Sequence, residues 1–269
     1  MIYDCFSFFN ELDLLELRLN ELNPVVDQFV LVESTRTFQK KPKPLYYEEN
    51  KARFAAFHHK ITHIIVDKFP YFWNNWKIPS KWVYDSHQKN QAAKGLIHCK
   101  PDDTILFSDL DEIPNPEKLK SHAQQDDICV FQQKHYYYYL NCVEVLPEHP
   151  EKYNWWYGTV MTKYKNFESV EKLRLQREIN KYTNNTVIED AGWHFAYLGG
   201  VEKIIEKINS YAHSEHNMED FKNPEKIKQL IESGKSLYGA DMHCVFQKID
   251  TTYPKYLVEN IEKFKIHIF

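Results

Sequence analysis

Four short apolar runs, at residues 2–9, 27–32, 61–66 and 104–108, are each followed by a stretch that reads as a helix. The first helix, 11–23, shows the pattern best. Asn10 stands before it as a cap, Leu12, Leu15, Leu19 and Leu22 share one face, and Pro24 closes it. Further helices are predicted at 48–59, 86–99 and 116–124, the last opening on Asn115 and Pro116. Strand alternating with helix predicts an α/β fold whose central sheet is mostly parallel, with helices on both faces. The second half reads differently. Residues 128–140, 155–164 and 186–198 are longer strand-like runs rich in Tyr and Trp, with helices predicted at 168–178, 201–212 and 224–233 and a mixed arm over 255–269. No repeat, low-complexity tract or linker divides the chain. One domain over 1–269 is therefore expected, with 1–125 as its nucleotide-binding half.

The run Thr104–Phe107 leads into Ser108-Asp109-Leu110-Asp111-Glu112-Ile113-Pro114. In an extended chain, side chains at i and i+2 point the same way. Asp109 and Asp111 are thus expected to converge on one hard cation at the carboxyl end of a strand, where open α/β sheets bind ligands. The same two residues also read as turn and helix-start carboxylates. Glu112 reads either as a support for such a site or as an exposed side chain.

Composition narrows the partners. Net charge is −4 with both signs spread throughout, so no basic block invites nucleic acid. No apolar run reaches membrane-spanning length, and Met1-Ile2-Tyr3-Asp4-Cys5 starts directly as strand without a leader's charged and apolar regions. The five cysteines form no C-x-x-C pair and fit neither a zinc site nor a disulfide framework. These features predict a soluble cytoplasmic protein with free thiols. Tyr (18), Phe (17) and Trp (6) are abundant enough to supply both a core and stacking surfaces for sugars.

Residues 2–54, with ILFSDLDEIPNPEKL and DAGWHFAYLGGVEKIIEKINSYAHSE in that order, resemble glycosyltransferase family 17. The likeness runs from about residue 2 to about 235. It implies a GT-A type fold, a nucleotide-sugar donor, a glycan acceptor bound by the half from 126 onward, a divalent cation (Mn²⁺ or Mg²⁺) and inversion at the anomeric carbon. Lys89 stands where the family pattern implies an arginine.

Candidate site residues follow. Asp109, Asp111 and His194 are the metal candidates, since neutral imidazole is a good Mn²⁺ ligand. Gly199 and Gly200 let backbone approach a phosphate at the start of a helix, and Lys203 adds a charge there. Glu33 and Ser34, with Lys41 and Lys43, are placed near the donor, although a solvated loop explains them equally. An inverting transfer needs a carboxylate base. Asp190 is the first candidate because it precedes Gly192-Trp193-His194, with Glu189 and Glu215 behind it, and a plain turn carboxylate is the equal alternative. Trp155 and Trp156 are candidate acceptor platforms, and the Tyr136–Tyr139 run reads mainly as core. The expected activity is transfer of N-acetylglucosamine from UDP-N-acetylglucosamine to a glycan hydroxyl. A nucleotidyltransferase making a nucleotide sugar and a carbohydrate-binding protein without chemistry are the two rivals.

Overall fold

The structure is a computed structural model that describes residues 1–37, 39, 41–69, 81–210, 222–237 and 242–269. Among these, twelve strands join in one sheet: β1 (Ile2–Phe8), β2 (Gln28–Ser34), β3 (Ile61–Val66), β4 (Thr104–Asp109), β5 (Glu112–Pro114), β6 (Cys129–Tyr137), β7 (Cys142–Leu146), β8 (His149–Tyr153), β9 (Trp155–Lys163), β10 (Thr186–Ile188), β11 (Gly192–Ala196) and β12 (His243–Phe246). The helices are α1 (Leu12–Leu22), α2 (Tyr46–Glu49), α3 (Lys81–Asn90), α4 (Pro116–His122), α5 (Val170–Leu175), α6 (Gly200–Ser210), α7 (Pro224–Glu232) and α8 (Lys255–Glu259).

The four runs that alternate with helices form the expected parallel set, in the order β3-β2-β1-β4. Their carboxyl ends share one edge, with Ser7 beside Asp109 and Phe8 beside Glu33. Beyond β4 the sheet is mixed, because β9 and then β6, β7 and β12 add as antiparallel neighbours. The reason is chain length. Only residues 138–141 separate β6 from β7 and only 147–148 separate β7 from β8, and such links allow hairpins but no parallel crossover.

The run 186–198 divides into two strands. Both β10 and β11 lie parallel to β6, with Ile188 opposite Phe131 and Trp193 opposite Lys134. Five residues therefore face three, and the surplus leaves the ladder as a turn where Asp190 takes φ +44°. Gly192, at φ +146°, brings β11 against β5; a Cβ there would stand 2.3 Å from the Ile113 carbonyl oxygen.

Helices cover both faces. On one, Leu15, Leu19 and Leu22 of α1 pack with Phe6, Phe29 and Leu31 and with Leu257 and Phe264 of the C-terminal arm. On the other, Val30, Val32 and Ile105 pack with Ala92, Leu96 and the α5 residues Val170 and Leu173. Successive β2 residues thus alternate between two cores, as a strand buried on both sides requires. Asn115 caps α4 through Glu117 N and Lys118 N, with Pro116 following. Asn10 does not cap α1; its amide donates to Glu206 of α6 instead. No described helix is long and apolar enough to cross a membrane.

The arm is tied down at its end. His267 hydrogen-bonds Asp13 at 2.7 Å, and Asn141 exchanges bonds with the backbone of Phe269. The His267 bond, opposed by partial burial and helped by Arg53, lowers the Asp13 carboxyl to about 2. A lowered carboxylate stabilises the fold above its unfolded value, about 3.9, and that contribution fades as pH falls toward the folded value. Urea unfolding between about pH 4 and pH 2 should therefore show a declining midpoint, with a shallower decline in Asp13→Asn. Identical slopes would mean that the contact adds nothing.

Candidate active site

The leucine stripe of α1 also carries Arg18, which is fully buried. Its Nε and Nη2 grip the Asp4 carboxylate at 2.8 and 2.6 Å, and Nη2 also donates to Ser108 Oγ at 2.6 Å. Nη1 faces the carbonyl oxygens of Asp109, Leu110 and Glu112 at 3.0, 3.1 and 2.9 Å. All five guanidinium N–H groups are thereby engaged. The turn at 110–111, which links β4 to β5, wraps around this side chain.

That turn separates the two aspartates. The expectation of one shared direction assumed an extended chain, but β4 ends at Asp109 and the backbone reverses before Asp111. Asp109 accepts from Ser7 Oγ at 3.1 Å and pairs with Lys89 at 2.9 Å and Arg174 at 3.2 Å. Burial opposes its charge, yet Lys89, Arg174 and Arg177 outweigh that and hold its carboxyl well below the usual range. Lys89 also pairs with Asp85 at 3.0 Å. A cavity of about 180 Å³ opens beside these groups between α3 and α5, with Ser86, Lys89, Arg174 and Arg177 in its wall.

Asp111 Oδ1 stands 3.7 Å from His194 Nε2. Its carbonyl accepts from Phe195 N at 2.9 Å. His194 is clamped: its ring stacks on His135 with centroids 4.7 Å apart, and Trp156 lies at the same distance. Trp156 in turn donates to Glu112 at 2.7 Å. Glu112 is buried, not exposed, and also accepts from Asp109 N and Arg177. His135 bonds Glu144 at 2.5 Å, and burial pushes its imidazole below the ordinary value against the pull of that carboxylate.

Among the described residues, Asp111 and His194 are placed so that one divalent cation could meet both. A gap of 3.7 Å is too long for a hydrogen bond and short enough for one ion to be shared. His194 Nδ1 is buried without a hydrogen-bond partner, so the ring is not consumed by the fold. A carboxylate with an imidazole suits Mn²⁺ better than Mg²⁺, which prefers oxygen throughout. Among the described residues no three His, Cys, Asp or Glu side chains gather as a metal cage.

Other expected site residues fall elsewhere. Glu33 is fully buried and bonds Lys43 at 3.2 Å, His63 at 3.1 Å and Tyr47 N, so it holds the loop after β2 together. Burial lowers the Lys43 ammonium against the pull of Glu33, and its Nζ also donates to the Pro44 and Phe9 carbonyls. Ser34 closes a turn on Arg36, while Lys41 is exposed. Asp190 and Glu189 lie in the turn before β11. They are exposed at the amino end of β11, whereas Asp111 meets its carboxyl end at Phe195. The turn at 189–190 and about 10 Å of strand from Gly192 to Phe195 lie between them along the chain. Asp190 pairs instead with Lys134 at 3.5 Å. Glu215 lies outside the described residues.

Gly199 and Gly200 take φ +113° and +75° at the start of α6, where nothing stands near a Cβ built on Gly200. Lys203 is half exposed and pairs with Glu206 at 2.8 Å. Trp156 belongs to the histidine stack, whereas Trp155 packs edge-on to Tyr153. Tyr136, Tyr137 and Tyr138 are all buried. Sequence reading missed Arg18, Arg174, Arg177, His135 and Glu144. Only Arg18 left a signal, as a charge on an apolar helical face.

A model of glycosyltransferase family 17 matches residues 1–268. The beta-1,4-mannosyl-glycoprotein 4-beta-N-acetylglucosaminyltransferases of Mus musculus and Homo sapiens are each 24% identical over 95% of this chain and 52% of their own. The chain thus spans about half the length of the curated relatives it matches. Among solved structures, M. tuberculosis glucosyl-3-phosphoglycerate synthase aligns at 14% identity with a TM-score of 0.39, covering 72% of this chain and 71% of that one.

Gly158 packs closely beside the site. A Cβ there would lie 2.3 Å from Gln133 Oε1 and 2.8 Å from Glu112 Cδ. Gly158→Ala should lower stability by about 1–3 kcal/mol through overpacking and change the environment of Trp156. Thermal unfolding and tryptophan fluorescence check this; a variant with unaltered Tm and spectrum would refute the packing.

Proposed function

The chain belongs to glycosyltransferase family 17, and on that premise we propose that it moves a sugar from a nucleotide-sugar donor to a glycan hydroxyl with the help of Mn²⁺. The names of its relatives favour N-acetylglucosamine as the sugar and a mannose residue of a glycoprotein glycan as the acceptor. UDP-N-acetylglucosamine is the corresponding donor.

The observation that carries the reading is the Asp111–His194 pair at the carboxyl edge of the parallel strands. A bound Mn²⁺ supplies positive charge for a leaving diphosphate. Asp111 and His194 would hold it, with phosphate and water filling its other positions. Trp156 and His135 keep one side of His194 dry and its ring fixed. Arg18 and Phe195 hold the backbone on which Asp111 sits. Asp109 ties α3 and α5 to the sheet edge through Lys89 and Arg174. The N-terminus of α6, reached within five residues of Phe195, adds free N–H groups suited to an anion, with Lys203 in its first turn. The base that takes the acceptor proton is a carboxylate, for which Asp190, Glu189 and Glu215 are the sequence candidates.

Incubation with Mn²⁺, UDP-N-acetylglucosamine and a mannose-bearing glycan should release UDP and extend the glycan. Asp111→Asn and His194→Ala should each lower the rate roughly 10²- to 10³-fold, the scale of several kcal/mol of charge stabilisation, with Tm little changed. Release of pyrophosphate would identify a nucleotidyltransferase instead. Glycan binding that needs neither Mn²⁺ nor UDP, with no turnover, would identify a binding protein.

A further inference from the structure

The four carbonyl oxygens of Asp109, Leu110, Asp111 and Glu112 are all committed. Three face Arg18 Nη1, and the fourth, that of Asp111, accepts from Phe195 N. Phe195 follows His194 directly, so the same backbone bonds set both ends of the 3.7 Å gap between Asp111 Oδ1 and His194 Nε2. Arg18 is held rigidly in its turn. Asp4 engages it bidentately, Ser108 Oγ accepts from it, and its guanidinium lies 4.6 Å from the Phe6 ring centroid. It is fully buried and touches no cleft, so direct contact with a substrate is excluded.

We infer that Arg18 is a positioning residue for the cation site: its guanidinium, locked to Asp4, shapes the Asp109–Glu112 turn so that Asp111 stands at the spacing from His194 that one divalent ion requires. The inference rests on the reading of Asp111 and His194 as the ion's ligands. A lysine at this position keeps the charge beside Asp4. It has three donors on one atom and cannot serve a bidentate carboxylate, a hydroxyl and three carbonyls together. The turn would then relax while the ion pair survives. Groups that orient metal ligands from behind change metal affinity by about 10- to 100-fold when altered.

The test measures Mn²⁺ dissociation constants for the full chain by titration calorimetry, with free Mn²⁺ followed independently by electron paramagnetic resonance. Arg18→Lys should weaken Mn²⁺ binding by about 10- to 100-fold. Leu22→Ala, a buried change one turn along the same helix, should lower Tm without altering the dissociation constant. Equal weakening in both variants would reduce Arg18 to a stability residue and overturn the inference. So would unchanged affinity in Arg18→Lys, which leaves the proposed function standing. If Arg18→Lys does not fold, Ser108→Ala decides. It removes one anchor of the guanidinium, and it should weaken Mn²⁺ binding about threefold or more, the scale of one hydrogen bond; no change overturns the inference. Absence of Mn²⁺ binding in the unaltered protein would remove the metal reading itself, and this inference with it.

Discussion

The buried ion pair between Asp4 and Arg18 is the interaction on which the site depends. Neither side chain has solvent exposure. Removing two charges from water costs several kcal/mol per ion, and mutual attraction repays this only when geometry is good and every donor finds an acceptor. Here the carboxylate takes a bidentate grip and the remaining N–H groups reach a hydroxyl and three carbonyls. A pair of apolar residues of equal volume would fill the same space between α1 and β1. It would leave the β4–β5 turn without partners for its carbonyls.

Position in the sheet explains why that turn matters. β4 is the last parallel strand, and its next neighbour, β9, runs antiparallel. The chain leaving β4 therefore cannot continue into an ordinary crossover along the same edge. It doubles into β5, which pairs with β11, and β11 pairs with β6 in the second half. Asp111 and His194 meet where these two halves of the sheet join, so neither half alone could make the pair.

The two aspartates of one short motif end with different duties. Asp109 is pulled by Ser7, Lys89 and Arg174, which belong to β1, α3 and α5. Its low carboxyl value follows from those cations winning over burial, and at neutral pH it stays charged and tethered. Asp111 stands beside the His194 imidazole at 3.7 Å. The turn at 110–111 thus gives the two carboxylates different protein partners.

Local pattern by itself determined the parallel strands, α1 and α4, because apolar periodicity and turn chemistry are written within a dozen neighbouring positions. It could not place Asp190, which sits in a turn before β11 and pairs with Lys134 of β6. Nor could it tell that Glu33 is consumed by Lys43 and His63, since those partners arrive from a loop and another strand. The antiparallel additions, the division of β10 from β11 and the wrapping of a turn around Arg18 were decided only in three dimensions. Each depends on pairings between segments far apart in the chain, and the energy of such a pairing belongs to both partners together, not to either stretch alone.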